Sequence, residues 1–154
     1  MGRRPRRDAR WGRAARLVTP LLLVDSSVWI DHLRGVSPSA SQRLAAELGD
    51  GLSTGVRMCE PVAMELIAGA SPAQLGPIVA LVDGLQGLAV DPHLDFRTAA
   101  ELSRSARAAG QTVRSIVDCL IAAVALRHDA VVVHRDRDFD VLAEVSPLRT
   151  QRWD

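Results

Sequence analysis

At 154 residues, 47% of them hydrophobic, the chain is about one domain long and can bury a sizeable core. Aromatics at 3% exclude an extensive base-stacking surface, and no apolar run approaches the roughly 20 residues of a membrane-spanning helix, so a soluble, cytoplasmic protein is expected. The net charge of +1 conceals an asymmetry: residues 1–16 carry seven arginines against the single acid Asp8, a local +6, and the remainder is mildly acidic.

Residues 1–17 form a basic leader without the apolar segment of a secretory signal. Its arginines suit a disordered tail or sequence upstream of a valine start codon at Val18; a mitochondrial targeting sequence and a nucleic-acid arm are further readings. Residues 18–154 are expected to form one domain. Leu21, Leu22, Leu23 and Val24 are aliphatic without alternation, as in a strand covered on both faces of a parallel sheet. The run stops on Asp25, at the strand's carboxyl end, where open α/β sheets bind ligands.

A helix is expected over residues 26–35, from the hydroxyls of Ser26 and Ser27 to Gly35. A second spans 37–50, with Pro38 in its first turn and Leu44 and Leu48 on one face. Proline-opened helices follow over 61–69 and 72–83, then a short strand over 88–90. Residues 94–109 are amphipathic and stop at Gly110, and 112–128 read as a nearly all-apolar helix. Strands are expected at 131–133 and 148–150. The alternation predicts an α/β fold with a short parallel β-sheet of four or five strands flanked by helices.

Cys59 and Cys119 lie far apart in apolar surroundings, with no CxxC and no histidine cluster, and read as small buried hydrophobes in a reducing cytosol. The acids are more informative. Asp25 ends a buried strand, where it serves either as a helix N-cap or as a ligand. Glu65 interrupts a short apolar helix, where a solvated face is the bland alternative. Asp118 is the only charged residue from Ser115 to Leu126. Burying an ionised carboxylate alone costs several kcal/mol, so either an ion pair with Arg114 or a bound cation must compensate it. Asp136 and Asp138 follow the strand at 131–133 and fall at the same sheet edge as Asp25. Carboxylates converging there describe an oxygen-lined pocket for a hard cation, Mg²⁺ or Mn²⁺, of the kind that serves phosphodiester chemistry.

Four segments, LLLVDSSVWIDHL, AMELIAG, SIVDCLIAAVALRHDAVVV and HRDRDFDVLAEV, resemble in order and spacing the acidic motifs of PIN-domain ribonucleases, especially the VapC toxins of toxin–antitoxin pairs. The resemblance covers Leu21 to about Val145. It implies a PIN-like fold and a Mg²⁺-dependent endoribonuclease, with Mn²⁺ as substitute. Asp25, Glu65, Asp118 and Asp136 would be its catalytic acids, with Asp25 and Asp118 the principal metal ligands. Asp138 is an outer or alternative fourth acid. Ser26 and Ser27 match the hydroxyl residues after the first acid, where they orient it or a metal-bound water, or simply cap the helix. His134 stands where these proteins often carry Thr or Ser, and a histidine there can still donate a hydrogen bond.

The implied partners are RNA, a VapB-like antitoxin and a second copy in a homodimer. An amphipathic antitoxin helix is expected over residues 28–33 and 61–66, with Trp29 and Ile30 near the acids, and an Arg or Lys of the antitoxin is expected to pair with them. Competing readings are a phosphorelay receiver domain, which would want a lysine that this chain lacks, and a haloacid-dehalogenase-type phosphatase, which would want an acid two residues after Asp25, where Ser27 stands. A PIN-like binding module with a silent site is the third.

Overall fold

A computed structural model describes residues 19–49 and 55–154. The leader and Asp50 lie outside the described residues. The elements run β1 (Leu22–Val24), α1 (Ser26–Arg34), α2 (Pro38–Leu48), β2 (Val56–Arg57), α3 (Glu60–Ala68), α4 (Pro72–Gly84), α5 (Asp95–Ala108), α6 (Ile116–Arg127), β3 (Val131–His134), α7 (Arg137–Glu144) and β4 (Arg149–Arg152). Among the described residues the strands form one parallel sheet in the order β2-β1-β3-β4.

The two central strands are the aliphatic runs, for the reason that unalternating Leu and Val suit burial on both faces. Leu23, Val24, Val132 and Val133 are all fully buried. Helix α6 lies against this core with Cys119 and Ile121 to Ala125 inaccessible, as a helix apolar on every side requires. Asp95, at the start of α5, holds the guanidinium of Arg127, at the end of α6, through bonds of 2.9 and 2.8 Å, tying the two helices together. No helix among the described residues is long and apolar enough to cross a membrane.

Three elements depart from the sequence expectation. Residues 88–90 form no strand: Gly87 makes an isolated bridge to Met58, after which the Val90 N–H turns to the Glu60 carboxylate at 2.9 Å. Strand β2, not anticipated, is two residues long and carries no pattern to read. It is seated by Gly55, whose carbonyl accepts from Leu22 N–H at 2.8 Å and where a Cβ would stand 2.4 Å from the Pro20 carbonyl oxygen. The apolar helix also starts at Ile116 rather than 112. Gly110, at φ 75°, turns the chain, and Ser115 Oγ caps the helix by accepting from Asp118 N–H at 3.4 Å.

Candidate metal centre

The chain leaves β1 toward β2 on one side and leaves β3 toward β4 on the other, so the adjacent carboxyl ends of β1 and β3 flank a topological switch point. The Asp25 N–H bonds the Val133 carbonyl at 2.8 Å, which fixes the first acid beside the end of β3. Asp25 is the N-cap of α1, its Oδ2 accepting from Ser27 N–H at 3.0 Å and from Ser27 Oγ at 2.5 Å. Capping occupies one oxygen only. The other, Oδ1, is buried and has no hydrogen-bond partner. Ser27 Oγ in turn accepts from Arg135 N–H at 3.2 Å, joining the turn after β3 to the same cap.

Glu65 projects half-buried from α3, and Ser26 Oγ donates to its Oε2 at 2.7 Å. Asp118 sits in the first turn of α6, 7% exposed. Asp136 caps α7, its Oδ1 accepting from Asp138 N–H at 3.0 Å. Asp118, Asp136 and Asp138 each offer a carboxylate oxygen within 4.8 Å of the others. Asp138 is the more committed of the last pair: it is buried, and its Oδ2 accepts from the backbone N–H of Arg114 at 2.7 Å and of Ser115 at 3.1 Å. Asp136 remains 35% exposed at the rim.

Crowding and burial act on these acids together. Burial first, then the charges of Asp25, Asp136, Asp138 and Glu65, pushes the Asp118 carboxyl up to about 8. Asp25 is raised mainly by burial, against the Ser27 hydrogen bonds that oppose it. Glu65 is raised by burial and by Asp25 and Asp136, and lowered by its bond from Ser26. Such mutual destabilisation is relieved by a cation. Every donor is a carboxylate oxygen, with no thiolate or imidazole among them, and the orphaned Asp25 Oδ1 lacks any donor, so the residues fit a hard divalent ion.

Asp118 makes no ion pair with Arg114, which was the alternative to a bound cation. Arg114 instead bridges Asp136, at 2.9 Å from Nη2, and Asp138, at 3.4 Å from Nε. The reason is direction: Arg114 precedes the helix that carries Asp118, in a turn pinned to α7 through Asp138. Sequence reasoning thus missed Arg114 as a neighbour of the last two acids; its place immediately before the capping Ser115 was the available signal. Neither ring nitrogen of His134 has a hydrogen-bond partner. Its buried ring packs against Phe139, with Nε2 3.6 Å from Asp140 Oδ1, too long for one.

Trp29 is likewise not a surface group: it is fully buried and donates from Nε1 to the Val24 carbonyl at 3.1 Å. The wall beside Glu65 is built by Ile30, Leu33, Leu66 and Ile78 instead. A separate apolar groove of about 560 Å³ runs between α3, α5 and α6, lined by Met64, Phe96 and Ile116 among others. Cys59 and Cys119 are free and buried, their thiols pushed up by burial to about 12 and about 11.

Residues 22–145 match the family model for the PIN domain, so the chain belongs to the PIN-domain family. Its relatives include the VapC ribonuclease Mb1587 of Mycobacterium bovis and Ribonuclease VapC11 of Mycobacterium tuberculosis. Each is 45% identical over 130 residues, covering 84% of this chain and 96% of the relative. Among solved structures, the fold is similar to that of a member of the VapBC family of toxin–antitoxin systems, VapBC-5, from Mycobacterium tuberculosis. That likeness has a TM-score of 0.58 and 25% identity over 87% of this chain and 100% of the other.

Proposed function

We propose that the protein is a Mg²⁺-dependent endoribonuclease, hydrolysing phosphodiester bonds in RNA, and that it is the toxin of a toxin–antitoxin pair. The observation that carries the reading is the cluster of Asp118, Asp136 and Asp138, each offering a carboxylate oxygen within 4.8 Å of the others, with Asp25 and Glu65 near enough for their charges to act on Asp118. The 45% identity to proteins named VapC ribonucleases supports it.

Asp25 and Asp118 would hold the cation, with Glu65 and Asp136 completing the set and Mn²⁺ as an alternative ion. When bound, the ion supplies an activated water and offsets charge on the phosphodiester. Ser27 fixes the Asp25 carboxylate, and Ser26 fixes that of Glu65, so both acids are aimed before any ion arrives. Asp138 anchors the start of α6 and thereby Asp118, which supports Asp136 as the fourth acid.

The partner that silences such a site is a VapB-like antitoxin. Its segment carries an Arg or Lys that pairs with the carboxylates while apolar residues cover Ile30 and Leu33 beside Glu65. The test is loss of intact labelled RNA on incubation with the purified full chain and Mg²⁺, compared with Asp118→Asn. RNA binding without turnover would replace the nuclease by a binding module. Growth rescue and co-purification with the neighbouring small gene product test the antitoxin separately.

A further inference from the structure

RNA brings negative charge to a cluster that is itself negative, and one divalent ion offsets only two of the five carboxylates of Asp25, Glu65, Asp118, Asp136 and Asp138. Arg114 stands where further attraction is needed. Its guanidinium spans Asp136 and Asp138 at 2.9 and 3.4 Å, yet the side chain is 71% exposed. Its backbone does not depend on those pairs, because Asp138 Oδ2 holds the N–H groups of Arg114 and Ser115. The Cα is therefore fixed while the exposed guanidinium can re-aim.

Solvent-exposed ion pairs are weak, so exchanging Asp136 for a phosphate costs little. The planar fork of arginine also matches two phosphate oxygens at once, which a carboxylate-rich rim otherwise repels. Arg135, at the same sheet edge, is less suited: it is 30% exposed and engaged by Asp31.

Resting on the ribonuclease reading, we propose that Arg114 is a substrate-binding residue, whose guanidinium leaves Asp136 for a backbone phosphate of the RNA and so frees the Asp136 carboxylate for the cation. The experiment measures binding of a fluorescent single-stranded RNA across a salt series, with Mg²⁺, in an Asp118→Asn background that prevents cleavage. Adding Arg114→Ala should weaken binding about tenfold and make the slope of log affinity against log salt shallower by about 0.7, the signature of one lost phosphate contact. Arg114→Lys should restore the slope and part of the affinity.

Calorimetric titration of Mn²⁺ into the protein with Asp118 intact should show affinity undiminished by Arg114→Ala, with little change in melting temperature. Unchanged RNA affinity and slope in Arg114→Ala overturns the proposal. So does a joint fall in melting temperature and Mn²⁺ affinity that lysine does not rescue, which makes the residue a tether between α6 and α7. If the unsubstituted chain neither binds nor cleaves RNA, the ribonuclease reading fails first and takes this assignment with it.

Discussion

Ser26 Oγ donates to Glu65 Oε2 at 2.7 Å, joining the first residue of α1 to the middle of α3 across thirty-nine positions of sequence. The bond lowers a carboxyl that burial, Asp25 and Asp136 all raise. Ser26→Ala should therefore raise Glu65 further and carry the acid limb of the cleavage-rate profile to higher pH, with activity reduced about tenfold at neutral pH. Rate measurements at several pH values check this, and an unmoved acid limb would separate Glu65 from the rate-determining ionisation.

Asp118→Asn should abolish RNA cleavage while leaving the fold intact. The pH dependence has a definite sign. Asp118 titrates near 8 in the folded chain against an ordinary 3.8, so the folded state holds the proton more tightly. Its contribution is present in full below about 4 and is lost as pH rises to about 8, at up to about 1.4 kcal/mol per pH unit. In EDTA, Asp118→Asn should melt at an equal or higher temperature than the parent at pH 7 to 8, with a flatter pH profile. Thermal melts across that range decide it.

Removing divalent ions with EDTA should abolish activity, and Mg²⁺ or Mn²⁺ should restore it. Zn²⁺ should serve poorly, because the cluster offers carboxylates alone. Restoration by Zn²⁺ only would overturn the assignment of Asp25 and Asp118 as ligands.

Asp136 and Asp138 should separate by stability. Asp138→Ala empties a buried position and leaves the part-buried N–H groups of Arg114 and Ser115 without their acceptor, and should cost about 2–3 kcal/mol. Asp136→Ala, at the exposed rim, loses the cap of α7 and should cost about 1 kcal/mol while still removing cleavage. Urea denaturation together with an RNA assay measures both quantities, and equal stability losses would remove the distinction.

A chain beginning with Met in place of Val18 should fold and cleave like the 154-residue chain, since every acid of the proposed site lies downstream. The +6 leader should add only salt-sensitive, sequence-independent RNA affinity. Loss of activity on truncation that persists at low salt would make the leader part of the working protein.

Local chemistry already wrote much of this fold into the sequence. Unalternating aliphatics at β1 and β3 required a doubly covered parallel sheet, Gly35 at φ 65° closed α1, and a lone acid in an apolar helix marked Asp118. Asp25 took up the cap reading through Oδ2, and only the tertiary structure left its other oxygen, Oδ1, buried without a partner. Which groups face one another was a matter for the tertiary structure. The two-residue β2 exists only because β1 offers it an edge. Trp29 is fully buried against the end of β1, and His134 packs on Phe139 of α7. Arg114 was drawn to Asp136 and Asp138, rather than to Asp118 four residues on, because the N–H groups before α6 needed an acceptor and α7 supplied it. Periodicity and composition specify what each segment must bury; which side chains meet across distant segments is decided only when the whole chain satisfies its buried polar groups together.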